Sequence, residues 1–173
     1  MSAAEVHEFL AQERTVVCAT IGPRGWPHLM PLWYVLRTPG APADEALQAG
    51  AQTSASDMPS PQLWSWTYAA SQKVRNLERD ARATLQVEAG ELYQELRGVM
   101  FECEVRLHRD LQAVSALGRE ILARNAVPRG EPAVALPTEA AAVVEQQAVK
   151  RVALQFLELR RSTWDHRKLA GVY

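Results

Sequence analysis

Thr15-Val16-Val17-Cys18-Ala19-Thr20-Ile21, then Gly22-Pro23-Arg24-Gly25, then residues 27 to 36: this stretch decides the fold. Its first seven residues are β-branched or apolar, the composition that strands favour. Gly22-Pro23-Arg24-Gly25 is turn chemistry, and Pro27 onward resumes as a strand, so the two runs read as a hairpin. Pro31 puts the second strand at an edge or a bulge, because proline cannot donate to a ladder. Working outward, residues 62–68 (QLWSWTY), 82–88, 96–108 and 149–159 read as four more strands. Alternation sets Trp64 and Trp66 on one face and Ser65 and Thr67 on the other.

Short helices surround these strands. Ser2 and Glu5 form a capping-box pattern ahead of Val6, Phe9 and Leu10. Residues 71–80 read as a second helix, with Val74 and Leu77 as its apolar stripe. Asp110 caps a third, whose Val114, Leu117, Ile121 and Leu122 share a face. Residues 128–137 read as a linker and 138–147 as an Ala-rich helix. Residues 37–61 hold Pro39, Pro42, Pro59 and Pro61 without periodicity and read as an irregular insertion. Six strands joined by hairpins and short helices cannot make a doubly wound parallel sheet. The expected fold is mainly β with peripheral helices, a six-stranded antiparallel barrel, since closure removes exposed edges.

With 173 residues, the chain is expected to be one domain over 1–173. A net charge of −1 argues against a nucleic-acid binder, which needs a basic surplus against phosphates. No signal peptide and no run of 18 apolar residues is present, so no membrane partner is expected. Cys18 and Cys103 both lie in apolar strand sequence. They read as buried free thiols in a reducing cytoplasm. His7, His28, His108 and His166 show no metal-ligand spacing, and neither a Gly-rich phosphate loop nor a nucleophile elbow occurs.

The helix opening at Ser71 has reversed charges. Helix N-termini favour acids, yet the first turn offers Gln72, Lys73 and Arg75, while Glu78 and Asp80 stand at the far end. A bound phosphate would compensate, with free N–H groups, the Ser71 hydroxyl and the Lys73 ammonium converging on it. Without an anion, Ser71 is an ordinary N-cap and both cations are solvated. Trp164-Asp165-His166-Arg167-Lys168 brings an aromatic ring and three potential cations together after the last strand. That suits a planar anionic ligand, or else is a solvated tail with one packed Trp.

Residues 19–28 (ATIGPRGWPH) and 71–80 (SQKVRNLERD) resemble the pyridoxamine 5′-phosphate oxidase-like superfamily of split β-barrels. Leu96-Arg97-Gly98-Val99 and residues 162–169 (STWDHRKL) are similar to its flavin/deazaflavin oxidoreductase branch. The resemblance implies a homodimer that binds FMN or the deazaflavin coenzyme F420. It assigns the cofactor phosphate to Ser71 and Lys73; Gln72 is expected to join them, and Met30, Pro31, Leu32 and Trp33 to line the ring. Thr67, Trp164, Arg167 and Lys168 are further cofactor contacts. Met30 stands where true pyridoxamine phosphate oxidases carry a phosphate-gripping Arg, and Gly98 and Met100 replace a polar pair. An intact pyridoxamine phosphate oxidase is therefore not expected, and the missing Arg favours F420 over FMN. The implied activity is hydride transfer between the cofactor ring and a small-molecule substrate, with no residue assignable as acid or base. A protein that binds or sequesters a flavin without turnover is the alternative.

Overall fold

The computed structural model describes residues 1–38, 62–129 and 131–169. In chain order these form α1 (Ala3–Gln12), β1 (Thr15–Ile21), β2 (Pro27–Trp33), β3 (Val35–Arg37), β4 (Gln62–Tyr68) and α2 (Gln72–Arg79). β5 (Arg82–Ala89), β6 (Arg97–His108), α3 (Leu111–Asn125), α4 (Thr138–Ala148) and β7 (Arg151–Asp165) follow, with 3-10 turns at Tyr93–Glu95 and His166–Leu169. The expected hairpin is present, paired antiparallel from Thr15 opposite Trp33 to Ile21 opposite Pro27.

All strands described join one antiparallel sheet of order β2-β1-β5-β6-β7-β4-β3. Its two edges, β2 and β3, are chain neighbours with only Tyr34 between them. A sheet whose first and last strands are joined by one residue has to curl round, and this curl is the half-barrel. Inward positions alternate as strand geometry requires. Val16, Cys18, Leu85, Val99, Phe101, Leu154 and Phe156 are buried inside the curl with Val6, Phe9 and Leu10 of α1. Trp64 points the other way, into a second cluster with Val114, Leu117 and Ile121 of α3.

Three expectations need correcting. The sheet has seven strands, because the run from Pro27 breaks at Tyr34. Tyr34 is fully buried, its hydroxyl donates to the Leu10 carbonyl at 2.7 Å, and its own carbonyl accepts from Arg124 at 2.5 Å. Those anchors hold the corner where the chain leaves one sheet edge for the other. The last strand runs to Asp165 rather than ending near Leu159. A bulge opposite Glu102 and Cys103 absorbs one extra residue and lets the polar stretch after Glu158 stay paired. Trp164 and Asp165 are thus sheet residues opposite Gly98 and Arg97, not a tail. Lastly, of the expected insertion, Arg37 belongs to β3 and faces Gln62 across the β3–β4 ladder. Residues 39–61 lie outside the described residues.

Candidate anion site at the start of the second helix

Two residues, Ala69 and Ala70, separate β4 from the Ser71 cap of α2. Ser71 is the N-cap, its Oγ accepting from the Val74 N–H at 3.4 Å, and no acid occupies the first turn. Lys73, Val74, Asn76 and Leu77 form the buried face. The spacing i, i+3, i+4 brings Lys73, Asn76 and Leu77 to one side of the helix.

Asn76 is fully buried and satisfied. Its Nδ2 donates to Thr20 Oγ1 on β1 at 3.0 Å, and its Oδ1 accepts from Gln72 Nε2 at 2.8 Å. Arg79 donates to the Ile21 carbonyl on the same strand. These contacts pin α2 against β1.

Lys73 is unusual. It is only 3% exposed, and its Nζ donates to Thr67 Oγ1 at 3.1 Å. Among the described residues no carboxylate pairs with it. Burial pushes its amine below the ordinary lysine range. Nearby on β1, burial drives the Cys18 thiol up to about 12, with a smaller opposing pull from Lys73. Cys103 is raised to about 12 by burial in the same way, and both cysteines are free, as the sequence indicated. A buried ammonium without a counter-anion carries a desolvation penalty of several kcal/mol. The arrangement therefore fits an anion.

The structure brings Thr67 and Lys73 together, with Ser71 at the start of the same helix. Gln72 is exposed and engaged with Asn76. On β2, Met30 pairs with Cys18 and Leu32 with Val16, so these two face the inside of the curl. Pro31 and Trp33 face the outside, and Trp33 is 49% exposed. Trp164, Arg167 and Lys168 lie elsewhere. Thr67 faces Val152 across the β4–β7 ladder, and from Val152 to Trp164 runs about 40 Å of strand. The Trp164 ring covers Gly98, where a Cβ would overlap it. Arg167 is paired with Asp165 at 2.6 Å and Lys168 with Glu5 at 2.6 Å. Within one chain these cations are neutralised locally.

Thr20 and Asn76 were missed in the sequence. A signal existed: Thr20 is a hydroxyl at an inward position in phase with Val16 and Cys18, and Asn76 shares a helix face with Lys73. A hollow of about 340 Å³ is lined by Ala19, Thr20, Ile21, Pro27, Thr84 and Leu159 among others, and neither Thr67, Ser71 nor Lys73 borders it.

The sequence matches the pyridoxamine 5′-phosphate oxidase family over residues 2–156, and the chain belongs to that family. Among solved structures it is similar to a conserved hypothetical protein from Mycobacterium tuberculosis, at 32% identity and TM-score 0.76, covering 100% of this chain and 90% of that one. It also resembles an F420 reductase, at 15% identity and TM-score 0.56, covering 90% of this chain and 94% of the other. A heme storage protein from Vibrio cholerae shares the fold at 13% identity and TM-score 0.57, with 94% and 92% covered. No curated protein matches the chain. No helix among the described residues is long and apolar enough to cross a membrane.

Proposed function

We propose that this chain is a homodimeric cytoplasmic oxidoreductase that transfers a hydride between a phosphate-bearing flavin-type cofactor, coenzyme F420 or FMN, and a small molecule. The observation that carries this reading is Lys73, a buried amine with a hydroxyl for a partner and, among the described residues, no acid. When bound, the cofactor supplies the hydride chemistry through its ring. The chain supplies position: α2 and Lys73 on the phosphate, Thr67 steadying the amine, and β2 beside the ring.

Dimerisation is supported by the exposed apolar side chains of the β1–β2 hairpin. On its outer face Leu29 is 56% and Trp33 49% exposed, and Trp26 in the turn is 75% exposed, more apolar surface than an isolated domain ordinarily leaves to water at one place. A second copy over this face would bring further groups to the ring. The two free buried thiols suit a reducing compartment.

Reconstitution tests the reading. The chain is titrated with FMN and with F420 by fluorescence, then supplied with the reduced cofactor and candidate acceptors. Lys73-dependent binding followed by oxidation of the cofactor supports an oxidoreductase. Tight Lys73-dependent binding without turnover of any acceptor supports a sequestering protein, the reading that the shared fold of a heme storage protein keeps in play. Absence of binding to either cofactor removes both.

A further inference from the structure

We infer that an anion binding beside Lys73 is taken up together with a proton, which converts the buried amine to the ammonium that faces the anion. This rests on the anion-site reading above and adds to it a direction of proton flow. The geometry is the reason. Lys73 is 3% exposed, its amine has one protein partner, the Thr67 hydroxyl, and the described residues offer it no carboxylate. A charge so placed is penalised for lost hydration and compensated by nothing. Burial correspondingly holds the amine below its ordinary range. An arriving phosphate supplies the missing counter-charge, and opposite charge within about 4–6 Å favours the protonated form. The step balances simply: amine, proton from buffer and anion become an ammonium–anion pair, with no redox change.

Among the described residues the groups around Lys73 are few. Thr67 on β4 does not titrate in water's range. Cys18 on β1 is held up near 12 and stays a thiol below strongly alkaline pH. His28 on β2 faces inward opposite Thr20. Neighbours on α2 itself, Ser71, Gln72 and Asn76, carry no charge, and Arg75 is exposed.

The experiment is calorimetric titration of the full chain with FMN between about pH 8 and 9.5, well above the phosphate's second ionisation near 6. Each pH is run in two buffers of different ionisation enthalpy. The inference expects the observed enthalpy to depend on the buffer, reporting a fractional proton uptake per FMN that grows toward the alkaline end. It also expects affinity to fall by up to tenfold per pH unit at the alkaline end. Lys73→Arg, whose guanidinium stays charged throughout, should bind with the buffer dependence gone. Should that variant not fold, His28→Ala must retain the wild-type proton uptake, which assigns it away from the imidazole. Lys73-dependent binding with no buffer dependence overturns the proton coupling and leaves the anion site standing. Binding of FMN or F420 that is unchanged in Lys73→Met, or no binding of either cofactor, overturns both.

Discussion

Replacing Lys73 by Met should stabilise the free protein while it weakens cofactor binding. In the folded chain Lys73 is almost wholly buried and its amine is held low by that burial. Met is similar in length, so the swap leaves no large cavity, and volume-conserving changes typically cost below about 1.5 kcal/mol. Against this stands the removal of a desolvated polar group. Exchanging buried charge for apolar side chains often gains roughly 1–4 kcal/mol. Thr67 loses one partner, at about 1 kcal/mol. A net gain of about 1 kcal/mol corresponds to a Tm rise of roughly 2–4 °C for a domain of this size. The sign can be checked against pH. Because the amine's folded value lies below its unfolded one, the unfolded chain binds a proton that the folded chain gives up. Wild-type stability therefore rises with pH up to the unfolded value near 10.5 and falls as pH drops toward the folded value. The Tm advantage of Lys73→Met should then be largest near neutrality and shrink as pH approaches 10.5. Thermal unfolding without ligand, at several pH values, measures both. A Tm loss of more than about 4 °C at neutral pH would refute the reasoning, since it would mean that the ammonium helps hold the barrel together.

Gly98→Ala should unseat the Trp164 ring, because the added Cβ overlaps it, at a cost of roughly 1–3 kcal/mol; unchanged near-ultraviolet dichroism and Tm would contradict this. Arg124→Ala removes donors from the carbonyls of Leu10, Ala11, Glu13 and Tyr34, and α1 should loosen by about 2–3 kcal/mol. Limited proteolysis near residue 13 reads it, and wild-type resistance there would count against it. Leu29→Glu should shift sedimentation from dimer to monomer without a loss of folded dichroism, provided β2 is the interface; a dimer that survives it places the contact elsewhere.

Most of the sheet was legible because its strands follow simple rules. β1 and β4 carry β-branched runs or alternation and end in turn chemistry, so their boundaries agree with the structure, as does the start of β2 at Pro27. Two features escaped. The break at Tyr34 is invisible locally, since its neighbours are all good strand formers. The corner depends on Leu10 and Arg124, which come from distant helices. The end of β7 was hidden because Glu158, Arg160 and Arg161 look like solvent-facing residues. Glu158 and Arg160 are such residues and Arg161 is half-buried over the Phe101 ring, but all three lie on a strand that continues past a bulge. At the candidate site the charge reversal of α2 was readable. The inward turn of Lys73 toward Thr67 was not, since helix sequence gives the face and not the reach of a long side chain.

Arg37 and Gln62 lie directly opposite one another on neighbouring antiparallel strands. Facing residues in such a ladder have Cα atoms roughly 4.5–5.5 Å apart, whatever the chain does between them. The barrel thus has a splice point, a pair of anchored ends that a two-residue hairpin turn could join. Doubling the length of a flexible connector costs only about 0.6 kcal/mol, so the scaffold sets almost no limit on what is carried there. Peptides, tags or whole recognition loops could be exchanged at this position while the remaining ladders keep their register.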